Sequence, residues 1–188
     1  MGEKAAYEPT RGGVTPADVR VRPAQMQDAR AIALLSARRE GLDEDAVFER
    51  CAAELEGLER GDPGLMLVAE VDGRVVGFGR ARPLAASESP SELDVPAGWY
   101  LLGVIVDPAQ RRRGVGRALV QGRLDALTGR TACAYTFINR ANRASRDLLE
   151  GAGFRVLERP FRYERSGLEP GDGWLLRCDL PRPAAAAD

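Results

Sequence analysis

The chain reads as an α/β (mixed α+β) protein: a mixed sheet with helices on both faces. Three observations predict it. Apolar runs of strand length alternate with segments whose apolar residues recur every three or four positions. The two kinds follow one another in the order β-α-α-β-β-β-α-β-α-β-β. No segment repeats, which sets solenoids and propellers aside. A length of 188 residues suits one domain, and 44% hydrophobic with 29% charged residues is enough for a packed core.

The elements follow in order. Residues 1–18 are rich in Gly, Pro and charge and predict a loose tail, and residues 181–188 predict another. Between them lies the expected domain, residues 19–180. Residues 19–22 alternate as a short strand. Met26, Ala29, Ile32 and Leu35 then form one apolar helical stripe. A second helix starts after Asp43, with Val47, Cys51, Leu55 and Leu58 on one face. Residues 65–71 and 75–81 are strands joined by Asp72-Gly73, a tight-turn signal. Residues 83–98 are polar, contain Pro and Ser, and are too long for a hairpin loop. Residues 100–106 form a buried strand stopped by Asp107-Pro108. A helix over 114–127 buries Leu119, Val120, Leu124 and Leu127, and residues 132–138 are the next strand. Asn142 caps a short helix that ends at Gly151. Residues 154–163 and 174–180 close the chain as two strands.

Composition excludes several chemistries. There is no histidine, so Ser-His-Asp and Cys-His catalysis are absent, as is the commonest metal ligand. Cys51, Cys133 and Cys178 are far apart and suggest neither a CxxC zinc site nor a disulfide framework. They read as small apolar residues of a reducing cytoplasm. No metal is expected. Lys4 is the only lysine, which rules out a phosphate loop ending in Gly-Lys-Ser/Thr. With 27 basic and 28 acidic residues the chain lacks the surplus of a general nucleic-acid binder. No apolar stretch is long enough for a membrane helix. The expected location is the cytoplasm.

The sharpest local feature is Val104-Ile105-Val106-Asp107-Pro108, followed by Gln110-Arg111-Arg112-Arg113-Gly114-Val115-Gly116-Arg117. A hydrophobic strand runs into a loop with two glycines, and the loop opens a helix. Helix N-termini present unpaired amides that attract anions. Glycine lets phosphates approach the backbone, and four arginines within seven positions add charge-assisted bonds. These properties favour a pyrophosphate-bearing ligand over a solvated basic helix start. A dinucleotide fingerprint fits poorly, because Leu119 stands where its third glycine belongs. Gly77 and Gly79, within one strand, suggest a bend or close packing.

At this turn the chain resembles the GNAT superfamily of acetyl-CoA-dependent N-acyltransferases. The family signature Gln/Arg-x-x-Gly-x-Gly/Ala is matched by Arg111-x-x-Gly114-x-Gly116. Asn142-x-x-Ser145 followed by Gly151-Ala152-Gly153-Phe154 is similar to its downstream segment, and Val21-Arg22-Pro23-Ala24 with Asp28 to its opening. The resemblance implies a sheet of six to seven strands, splayed between the fourth and fifth. It implies acetyl-CoA as acyl donor, with the backbone of Val104, Ile105 and Val106 holding the pantetheine arm. It places the pyrophosphate on Arg111, Arg112, Arg113, Gly114, Val115, Gly116 and Arg117. A bulge at Gly103 would aim an amide at the thioester carbonyl. Asn142 and Ser145 match positions that often face the cofactor arm, although an Asn at a helix cap already has a structural role.

The implied reaction is direct attack by an amine of an unidentified acceptor, a small molecule or a peptide. Neither nucleic acid nor membrane is an expected partner, and a homodimer is an option. Two positions depart from the family pattern. Its usual tyrosine acid falls at Leu149 and its strand glutamate near Leu102, and neither leucine can move a proton. Tyr100, Tyr135 and Tyr163 are substitutes to consider, each also readable as a core aromatic. No catalytic residue is assigned. The alternative is therefore a catalytically impaired module that binds CoA or acyl-CoA. The acidic second helix, with Asp43, Glu44, Asp45, Glu49, Glu54, Glu56 and Glu59, either faces water or suits a cationic amine.

Overall fold

The computed structural model describes residues 18–85, 95–157, 161 and 172–181. Its strands are β1 (Arg20–Pro23), β2 (Leu65–Val71), β3 (Arg74–Leu84), β4 (Gly98–Val106), β5 (Cys133–Asn139), β6 (Arg155–Leu157) and β7 (Gly173–Asp179). Its helices are α1 (Ala29–Glu40), α2 (Glu44–Glu59), α3 (Val115–Leu127) and α4 (Arg143–Glu150). The strands form one mixed sheet in the order β1-β2-β3-β4-β5-β7-β6. The predicted order of elements is the observed one. Most of both expected tails, Tyr163 and half of the expected strand 154–163 lie outside the described residues.

The described residues form two compact units: those up to Ala81 with Gly103–Arg123, and Arg82–Leu102 with the described residues from Leu124 on. In the first, β2 reads Leu-Met-Leu-Val-Ala-Glu-Val because both of its faces are covered. Met66 and Val68 pack with Ile32, Val47, Cys51 and Leu55 of α1 and α2. Leu67, Ala69 and Val71 point the other way and pack with Val115 and Leu119 of α3. Helices therefore lie on both faces, as predicted. The α1 stripe begins one turn early, since Met26–Asp28 is a 3-10 turn before the helix proper. Asp43 caps α2, its side chain accepting from the amides of Asp45 and Ala46. Asp72 and Gly73 have φ values of 51° and 72°, the left-handed pair that a two-residue hairpin requires.

In the second unit β4 and β5 run parallel, paired through Trp99–Ala134 and Tyr100–Tyr135. Thr136 Oγ1 then donates to the Leu101 carbonyl at 2.8 Å. Among the described residues, those two residue pairs are the backbone pairing of β4 with β5. β7 lies between β5 and β6, antiparallel to both. Tyr100, Tyr135, Phe161 and Leu175 form the core of this unit, and the Tyr100 and Tyr135 rings stack with centroids 5.3 Å apart. No described helix is long and apolar enough to cross a membrane.

Candidate functional site

The candidate site is built on the first unit, where β4 leads through a turn into α3. Val104, Ile105 and Val106 are the last residues of β4, and each is half-buried. Asp107 continues from the strand: its amide donates to the Val76 carbonyl at 2.8 Å, and its side chain accepts from Ala109. The chain makes a 3-10 turn over Pro108–Gln110 before reaching the arginines. Arg113 Nη1 donates to Gln110 Oε1 at 2.7 Å, which holds one guanidinium along the turn.

Backbone geometry carries the anion-binding argument. Arg112 has φ 63° and Gly114 φ 84°, so two residues of this short loop are left-handed. Such alternation turns successive amides toward one side and forms a concavity for anions. The helix begins at Val115, and its first internal bond runs from Ala118 N to Gly114 O at 3.0 Å. The amides of Val115, Gly116 and Arg117 thus fall in the turn that lacks intrahelical acceptors. Val115 is buried and anchors the helix start, whereas Arg111, Arg112 and Arg117 are exposed. Ten of the twelve expected site residues, Val104–Val106 and Arg111–Arg117, therefore share one strand-turn-helix segment.

Gly103 is left-handed within β4, with φ 59°, and a side chain built on it would meet open space. Gly103 thus leaves ordinary strand torsions at the position where a bulge was expected. Two arginines that were not anticipated engage this stretch. Arg39 of α1 donates to the Val104 carbonyl at 3.1 Å, and Arg123 of α3 donates to the Gly103 carbonyl at 3.2 Å. Arg39 left no signal in the sequence. Arg123 left one, because it falls on the apolar stripe of α3.

Asn142 and Ser145 lie in the second unit. Asn142 caps α4, its side-chain oxygen accepting from the Ser145 amide at 3.1 Å. Leu149 is buried and Leu102 packs beside the tyrosine core of that unit. Tyr100 is fully buried and its hydroxyl donates to the Pro96 carbonyl at 2.7 Å. Tyr135 is also buried, and burial pushes its phenol up. Both are core aromatics. Burial likewise pushes up the thiols of Cys51 and Cys178, which marks them as inert packing residues. Among the described residues no cluster of three or more metal-ligating side chains occurs.

The model of the acetyltransferase (GNAT) family matches residues 28–154, the stretch from the residue before α1 to the residue before β6. The chain belongs to the GNAT acetyltransferase family. A curated relative, the L-2,4-diaminobutyric acid acetyltransferase of Nocardia farcinica, is 44% identical over 86 residues. That match takes in 44% of this chain and 39% of the relative, so the chain spans about two fifths of the relative's length. Solved structures share the GNAT fold at lower identity. A ribosomal-protein-alanine N-acetyltransferase from Brucella melitensis superposes with a TM-score of 0.65 at 23% identity, covering 86% of this chain and 99% of that one. An acetyltransferase from Salmonella typhimurium, solved with its cofactor acetyl-CoA, gives 0.63 at 23% identity over 90% and 98%. An N-acetyltransferase from Thermoplasma acidophilum in complex with coenzyme A gives 0.62 at 14% identity over 86% and 98%.

Proposed function

We propose that this GNAT protein is an N-acetyltransferase that takes its acetyl group from acetyl-CoA and transfers it to an amine by direct attack. One observation carries the cofactor assignment: a strand ending at Val106, a turn left-handed at Arg112 and Gly114, and a helix opening at Val115. In this reading the amides of residues 112–117 hold the pyrophosphate, with Arg111, Arg112 and Arg117 supplying charge. The backbone of Val104–Val106 holds the pantetheine arm as a short added strand would. The open space at Gly103 fits this, since no side chain would block an approach to the strand. Acetyl-CoA contributes a carbonyl activated as a thioester.

The residues present shape the proton chemistry. The amine must lose a proton and the departing thiolate must gain one. Leu149 and Leu102 can do neither, and Tyr100 is occupied in the core. The catalytic contribution of the chain is then mainly positioning and backbone hydrogen bonding, with water as proton carrier. The acceptor to test first is a diamino acid, in view of the relative's activity. The three cysteines are free, which suits action in the reducing cytoplasm.

The experiment is CoA-thiol release from acetyl-CoA with a panel of amines that includes L-2,4-diaminobutyrate. Turnover with at least one amine is expected. Tight acetyl-CoA binding with no turnover across the panel would instead favour an acyl-CoA-binding module. A Gly114→Glu variant should lose most of the thermal stabilisation by acetyl-CoA, because a carboxylate then occupies a left-handed position in the phosphate cradle. Undiminished stabilisation would show that the cradle lies elsewhere.

A further inference from the structure

Arg123 is the largest fully buried side chain among the described residues, at 1% exposure. It stands one turn after Leu119 and beside Leu124, where the α3 pattern calls for an apolar residue. Burial pushes its guanidinium down, to about 9. Its hydrogen bonds are to three carbonyls: Leu119 at 3.0 Å from Nε, Arg80 at 2.9 Å and Gly103 at 3.2 Å, both from Nη1. Leucine or methionine would serve the core of α3 without desolvating a cation. What the guanidinium adds is its grip on β3 and β4.

Both strands are adapted to it. A Cβ on Gly79 would lie 2.8 Å from the Arg123 Cζ, so the missing side chain of Gly79 is the space that holds the guanidinium. At Gly103 the left-handed φ of 59° turns the carbonyl out of regular strand geometry, and Arg123 supplies a donor to it. That carbonyl and the Val104 amide belong to one peptide group. A cation on the oxygen therefore fixes the plane of the amide and strengthens it as a donor.

We propose that Arg123 is a positioning residue: seated against Gly79, it clamps the Gly103 carbonyl and sets the direction in which the backbone from Val104 onward meets the arm of an acyl-CoA. The proposal rests on the acyl-CoA reading above and adds to it a buried determinant on the opposite side of the peptide from the ligand.

The test compares two ligands by calorimetry on the full chain: acetyl-CoA, and adenosine 3′-phosphate 5′-diphosphate, which has the phosphates of CoA and no arm. Wild type should bind acetyl-CoA more tightly than the armless nucleotide. Equal binding would overturn the placement of the arm on β4 and the clamp with it. In Arg123→Lys and Gly79→Ala, acetyl-CoA should weaken about tenfold, while the nucleotide changes by less than about twofold. Parallel loss for both ligands, or loss for neither, would overturn the clamp while leaving the cofactor site standing. If Arg123→Lys fails to fold, Gly79→Ala carries the comparison with the arginine intact. In wild type, the Nε–H resonance of Arg123 should shift on adding acetyl-CoA and stay in place on adding the nucleotide. Silence with both ligands would also overturn the proposal.

Discussion

Asp28 carries a charge into the first unit because Arg22 meets it with both terminal nitrogens, at 2.6 and 2.8 Å. The same guanidinium reaches Glu70 through Nη2 at 2.6 Å, and the Gln25 amide donates to Asp28 at 2.8 Å. Burial alone would raise the Asp28 carboxyl. The Arg22 hydrogen bonds, the Gln25 amide and the Arg22 charge together outweigh burial and hold it below its ordinary value of 3.8. A carboxyl depressed on folding stabilises the protein above its unfolded pKa and loses that effect as pH falls through the folded one. Asp28→Asn should therefore lower stability at neutral pH by about 1.5–3 kcal/mol and flatten the acid limb below pH 3.8, as read by urea melts across pH. At Val104 the exposed Arg39 guanidinium occupies a carbonyl on the strand proposed above to hold the pantetheine arm. Arg39→Ala should raise acetyl-CoA affinity several-fold, since one modest hydrogen bond no longer competes. Unchanged or weaker binding in calorimetry would mean that Arg39 does not oppose the arm. Ligand-free sequence reasoning could reach the Arg111–Arg117 turn because glycine spacing and charge are local. It could not reach Arg39, whose partner lies 65 positions away.

At the scale of elements, periodicity revealed α1, α2 and α3 through their apolar stripes, and α4 was legible from its Asn142 cap and Gly151 stop. The β2–β3 hairpin was legible from Asp72-Gly73, whose left-handed torsions only a few residue types adopt readily. Two lengths were not legible. β3 runs on to Leu84, beyond the expected end at Ala81, although Pro83 has no amide N–H to donate. β4 starts at Gly98, because its pairing with β5 reaches back to Trp99. Close packing at the Gly77 and Gly79 pair was anticipated, but not what each glycine admits. A Cβ at Gly77 would lie 2.9 Å from the Ile105 carbonyl and 3.3 Å from Leu119 and Val106 side chains. Backbone cannot step aside as a side-chain tip does. Gly77→Ala should thus destabilise by about 1–3 kcal/mol, seen as a lower midpoint in thermal unfolding. Asp43→Ala removes the acceptor for two amides of α2 and should cost about 1 kcal/mol. A midpoint within error of wild type would contradict the cap.

For the whole molecule, element order was enough to predict a mixed sheet with helices on both faces, since connections between consecutive elements are short and constrained. The catalytic side was less legible. On the positioning mechanism proposed above, few obligatory side chains exist to be found, and the positions where the resemblance implies a tyrosine and a glutamate hold Leu149 and Leu102. The strand order has a separate consequence for how the protein is made. β7 is the last of the described strands, yet it pairs with β5 over seven residues and with β6 over three. During synthesis β5 has no antiparallel neighbour until residue 179 has emerged, about 2–8 s after residue 139 at ordinary elongation rates. Through that interval the apolar residues Tyr135 and Phe137 of β5 depend on the nascent chain remaining shielded. A chain halted at residue 172 should then be captured by chaperones or aggregate rather than fold as a shortened enzyme.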